Sequence, residues 1–223
     1  MKNNNVILVA TIVTMVSFVS CGGNPTSNVE KARIERENIV KDSIARAEFI
    51  KDSIATAEHN AEVIKRCAAL FVIKEDEFSN NAWVKPKSAP KHRNQNGVYC
   101  YFATENGKAT SNFRFVYQYY ADDWLFIKNM IFNIDGENIT IVPEMETDCG
   151  YGGKIWEWCD ESVNHNSSGI NEEFIKKIAN ATSVKVKMNG TQYYNTRTLS
   201  AAQIKSIKDA YDYYLALGGD FTN

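Results

Sequence analysis

Few side chains in this chain have a type and spacing suited to covalent chemistry. Its three His, His59, His92 and His165, stand far apart, and none has a partner at metal-ligand spacing. No nucleophile elbow, phosphate loop, dinucleotide fingerprint or zinc-protease motif occurs, so neither metal nor cofactor is expected. A Cys or Ser nucleophile and its His base need not be close in sequence. A hydrolase with a dispersed site therefore stays open as an alternative; it requires a cleft with converging carboxylates or a Cys–His pair. The carboxylates of Asp122-Asp123 and of Asp135-Gly136-Glu137 coincide with turn signals, where Asp is favoured through its own side-chain hydrogen bonds.

The cysteines and aromatics offer binding or cross-linking instead. Apart from Cys21, the chain has Cys67, Cys100, Cys149 and Cys159. Cys149 and Cys159 bracket Gly150-Tyr151-Gly152-Gly153, so a loop-closing disulfide between them is the first candidate, with free buried thiols the alternative. Without a Cys-x-x-Cys motif, thiol redox work is not expected. Trp156 and Trp158 fall on one face of a predicted strand, with Glu157 on the other. Tyr119, Tyr120 and Trp124 surround a predicted hairpin, and Trp83 lies in an irregular segment beside Lys85 and Lys87. Exposed aromatics of this kind stack on sugar rings or anchor a protein partner; buried, they are core.

These residues need elements to position them. Phe113, Phe115, Tyr117 and Tyr119 alternate with Arg114, Val116, Gln118 and Tyr120, a strand pattern. Trp124 to Ile134 is apolar on both faces and predicts a central strand. Asp135-Gly136 signals a hairpin to a returning strand at Asn138–Val142. Further strands are predicted over Val98–Thr104, Lys154–Cys159 and Ser183–Met188, with Tyr193 and Tyr194 on a partner strand after Asn189-Gly190. Asn171 caps a short helix to about Ala181. Ser200-Ala201-Ala202-Gln203 is a capping box opening a helix whose stripe is Ile204, Ile207, Tyr211 and Tyr214, ended by Gly218-Gly219. Strands in succession with helices on them predict an α+β class: an antiparallel sheet or sandwich with two packed helices.

Composition agrees with a folded domain. Of 223 residues, 44% are hydrophobic and 23% charged, which excludes whole-chain disorder. The 25 Lys and Arg are balanced by 27 Asp and Glu, for a net charge of −2, so no nucleic-acid partner is expected.

The N-terminus reads as an address. Lys2 precedes the uncharged run Val6–Val19, short for a permanent membrane span and suited to a signal peptide. Its end, Phe18-Val19-Ser20-Cys21-Gly22, resembles the lipobox of bacterial lipoproteins in the relaxed form of Bacteroidetes-type members. The resemblance implies removal of residues 1–20 and palmitate-type acyl chains on Cys21. Several such chains would hold the protein to a membrane almost permanently. Lipoproteins of this type that reach the cell surface carry acidic residues just after the Cys. Here none appears before Glu30, which implies an outer-membrane anchor facing the periplasm. Residues 21–28 read as a flexible tether.

Residues 29–66 lack Gly and Pro and read as a helical stalk. Val40, Ile44, Ala47, Ile50 and Ile54 begin a thin heptad seam, consistent with either a solvated spacer or an oligomerising coiled coil. Asp42-Ser43-Ile44 recurs as Asp52-Ser53-Ile54 and resembles the O-glycan acceptor site of exported Bacteroidetes proteins, which implies Ser43 and Ser53 as acceptors. The folded domain is expected over 67–219, with 220–223 a tail. The stretches 78–83, 119–126 and 155–158 resemble a domain of uncharacterised bacterial proteins, which implies no activity. The expected function is a non-enzymatic binding module for an envelope protein or glycan, shown on a helical spacer. A structural role, oligomerising through the stalk, is the second alternative beside the hydrolase.

Overall fold

The computed structural model describes residues 25–150, 153–163 and 168–221. Cys21 and the signal-like run lie outside them. Helix α1 spans Pro25–Ala68, and the fixed φ of proline suits a first helical turn. The expected tether is thus helical from residue 25. The chain divides into two units, one ending at Ser53 and the other starting at Ile54. In the first, the helix exposes every residue from 28 to 53. In the second, the end of the same helix belongs to the folded domain: Val63 and Cys67 are buried in its core. The last turns of α1, expected to belong to the stalk, thus pack into the core of this unit. No helix among the described residues is long and apolar enough to cross a membrane.

The domain is α+β, as the alternation predicts. After α1 come β1 (Phe71–Glu75), β2 (Asn81–Pro86), β3 (Gly97–Glu105), β4 (Lys108–Ala121), β5 (Asn129–Ile134), β6 (Glu137–Ile141), β7 (Glu146–Cys149) and β8 (Ile155–Ser162). Helix α2 (Glu172–Ala179), β9 (Val184–Asn189), β10 (Tyr194–Thr198) and α3 (Ala201–Ala216) complete it. One sheet has the order β1-β2-β3-β4-β8-β7 and the other β10-β9-β5-β6. Every pairing is antiparallel.

Period-two alternation gives the six-stranded sheet two different faces. Its inner face carries Cys100, Phe102, Phe113, Phe115, Tyr117 and Cys159, all buried. Phe115 meets Phe132 of the four-stranded sheet at 6.2 Å between ring centroids, and Phe174 of α2 lies on both, at 5.5 and 5.0 Å. Tyr213 and Tyr214 of α3 close the same core edge-on against Phe102. The capping box forms as predicted, with Ser200 accepting from Gln203 N and Gln203 from Ser200 N. Asp135 and Gly136 both take positive φ, 47° and 95°, the tight turn that their pairing implies.

Several sequence expectations fail for physical reasons. The run 124–134 is a strand only from Asn129. Upstream, the Glu157 carboxylate takes the N–H groups of Leu125, Phe126 and Ile127 at 2.7–2.8 Å, and Phe126 has φ 52°. Those donors serve a buried side chain instead of a ladder. Trp83 is on a strand, β2, not in an irregular segment. The expected tail is partly core: Phe221 is buried against Phe113 and Tyr214, and the Tyr214 hydroxyl donates to Asp220 O at 2.8 Å. The Cys149–Cys159 disulfide does not form, and all four described cysteines are free. Cys149 pairs with Ile155 across β7 and β8. Cys159 lies four residues further along, about 13 Å at roughly 3.3 Å per residue, where a disulfide needs Cα atoms within about 7 Å.

Candidate functional site

The outer face of the six-stranded sheet gathers the chemistry. By register, Lys74 lies beside Trp83, Tyr101 beside Arg114, Val116 beside Asp160, and Gln118 beside Trp158. All these side chains point away from the core by the same alternation that buries their neighbours. Residues 87–96, between β2 and β3, fold back over this face as a strap. His92 O accepts from Gln118 Nε2 at 3.2 Å, and Arg93 Nη2 donates to Asp160 at 3.3 Å. Gly97, where the strap rejoins the sheet, has no room for a side chain: a Cβ there would lie 2.4 Å from the Pro90 ring.

Strap and sheet together enclose a groove of about 680 Å³, within the range of small-molecule sites. Its aromatic wall is Trp83, Tyr99 and Tyr101. Trp83 is 40% exposed, and its ring sits 5.2 Å from that of Tyr101. The cations lining it are Lys74, Lys85, Lys87, Lys91 and Arg93, and the one carboxylate among the described lining residues is Asp160. That carboxylate is fully engaged. Arg114 Nε donates to it at 2.8 Å, the Tyr101 hydroxyl at 3.0 Å, and Arg93 from the strap. A further Arg114 N–H donates to the Asp160 carbonyl.

The electrostatics follow from burial. Lys85 sits 4.7 Å from the centre of the Tyr99 ring. Burial, and then the like charge of Arg93, draw its ammonium below the usual lysine value. Burial pushes the Tyr99 phenol up to about 12. Tyr101 moves the same way, through burial and then its negatively charged neighbour Asp160. Three buried polar atoms have no hydrogen-bond partner among the described residues: Arg93 Nη1, Gln118 Oε1 and Trp158 Nε1. All three meet the strap, since Gln118 bonds His92 and the Arg93 guanidinium lies 5.1 Å over the Trp158 ring. Buried polar atoms are rarely left this way.

The aromatics singled out in sequence separate here. Trp83 lines the groove, while Trp156 and Trp158 line a second hollow on the same face, shared with His92, Arg93 and Asp148. Tyr119 does not join them; it is buried in the core with Arg197 over its ring. Trp124 packs against the core and stacks on Phe126 at 5.2 Å. Ser43 and Ser53 are exposed on α1, each donating its hydroxyl to the carbonyl four residues earlier at 2.8 Å. Tyr99, Tyr101, Arg93, Gln118 and Asp160 escape a linear reading, although Tyr99 and Tyr101 stand at the alternating positions of β3. Among the described residues, no group of three or more His, Cys, Asp or Glu could hold a metal ion. No known family model, curated protein or solved structure matches the chain.

Proposed function

We propose that this chain is a bacterial lipoprotein, held at the outer membrane facing the periplasm through acyl chains on Cys21. Its domain from Ile54 onward acts as a non-enzymatic binding module for an envelope protein or glycan, and the strapped groove is its ligand site. The lipobox-like run supports the anchor. The groove supports the binding role: a half-exposed Trp83 beside five cations, with the one carboxylate among its described residues tied up by two Arg and a Tyr. A carboxylate so engaged suits a scaffold better than a proton-transfer group. Membrane pull-down with crosslinking, together with a glycan array, tests the module. A ligand captured by the wild type and lost by Trp83→Ala supports it, and capture indifferent to that substitution removes it. Release of Cys21→Ser from membranes tests the anchor.

A second reading, assembly through the helix, is favoured by one observation. Val40, Ile44, Ile50 and Ile54 are each more than half exposed along the heptad seam. Deleting residues 29–53, which spares Val63 and Arg66, would then abolish oligomers in sedimentation.

A further inference from the structure

We propose that the groove takes the acidic sugar residues of a carboxylated polysaccharide. This rests on the reading of the groove as the ligand site and names its ligand class.

Three observations converge on it. First, Trp83 presents an indole to solvent, backed by Tyr101 at 5.2 Å. A flat, braced ring fits the apolar side of a pyranose. Second, the local charge is opposite to that of the chain. The protein carries a net −2, yet Lys74, Lys85, Lys87 and Lys91 converge on one groove whose only described carboxylate is already engaged. Lys85 is half-buried and pressed by Arg93, so an incoming carboxylate relieves it more than it would a solvated lysine.

Third, the partnerless atoms are of both kinds. Gln118 is 2% exposed; its Nε2 is bonded, and its Oε1 accepts from no described residue. Arg93 Nη1 and Trp158 Nε1 lack acceptors. Gln118 and Arg93 line the groove, and Trp158 lines the adjoining hollow, so a ligand in the groove that answers the first two must donate to one and accept from the other. A bare anion only accepts, and a hydrocarbon does neither. A Glu or Asp side chain supplies acceptors, with its nearest backbone donor several bonds away. An acidic sugar carries carboxylate and hydroxyl groups on one ring.

The full chain, purified with its anchor in detergent, is titrated calorimetrically with oligogalacturonide and oligomannuronate, with a neutral oligogalactoside of equal length, and with oligoglutamate. At least one uronide binds tenfold or more tighter than the neutral sugar and the peptide, and the affinity falls with added salt. Trp83→Ala and Lys85→Met each weaken it about tenfold, with the melting temperature held. Lys91 is exposed, so Lys91→Ala provides a variant with little risk to folding and a loss of about threefold. Equal binding of the neutral sugar, lost in Trp83→Ala, overturns the acidic ligand and leaves the groove as a site. Tighter binding of oligoglutamate overturns the sugar in favour of an acidic peptide. Uronide binding unchanged in all three variants overturns both the ligand and the groove. Failure of every sugar with folded protein overturns the proposal.

Discussion

Glu157→Ala should be among the most damaging single substitutions in the domain. Glu157 is fully buried and accepts from three consecutive N–H groups, those of Leu125, Phe126 and Ile127. Phe126 is half exposed and can turn to water, but the donors of Leu125 and Ile127 are buried. Each buried donor left unmet costs about 1–3 kcal/mol. Adding the lost packing, the substitution removes about 3–5 kcal/mol, a large share of the 5–15 kcal/mol typical of a domain. At roughly 2–4 °C per kcal/mol for a protein of this size, the melting temperature falls by about 6–20 °C. Glu157→Gln retains one oxygen and turns an amide N–H toward a backbone N–H, so its cost is intermediate, about 2 kcal/mol. Urea unfolding of the full chain, followed by circular dichroism and tryptophan fluorescence, measures both. A loss below about 1 kcal/mol for Ala, or equal losses for Ala and Gln, would refute this account of the 124–128 segment.

Other consequences are simpler to check. In native protein Cys149, exposed on an edge strand, should react with a maleimide, while Cys67, Cys100 and Cys159 stay silent until unfolding. Burial raises all three of these thiols, Cys159 to about 12. Non-reducing mass spectrometry should find no Cys149–Cys159 link. Tyr99 titrates near 12 when folded against 10 when free, so the unfolded state releases its proton first. Its contribution to stability is whole below pH 10 and is lost as pH rises toward 12, an alkaline weakening that Tyr99→Phe should reduce. Intact-mass analysis of chain exported by its native host should show added hexose-type mass that disappears in Ser43→Ala/Ser53→Ala if the glycan resemblance holds.

The fold was legible wherever one face of an element is buried and the other is wet. β9 and α3 were readable for that reason; β4, and the placement of Trp156 and Trp158 opposite Glu157, were readable from the alternation of side-chain types although both faces of β4 are largely buried. The 124–128 segment was misread because its hydrophobicity matches a central strand, while its hydrogen bonds go to a carboxylate thirty residues away. β7 was missed because all its residues are exposed, leaving no alternation to detect. The groove was half legible. Trp83 and its lysines are neighbours in sequence, but Tyr101, Gln118 and Asp160 come from three strands that only pairing brings together. The strap's return over them depends on contacts of Arg93 and His92 that no local pattern announces.

The 124–128 segment also acts as a rivet. On one side the Glu157 carboxylate of β8 grips it; on the other, Lys128 N donates to Asn189 O at 2.8 Å and Thr191 N to Leu125 O at 3.1 Å. Gly190 has no space for any side chain, since a Cβ would fall 1.9 Å from Leu125 O. Force applied to either sheet therefore reaches the other through these hydrogen bonds as well as through the shared core, so the two sheets should yield together under tension, in a single rupture.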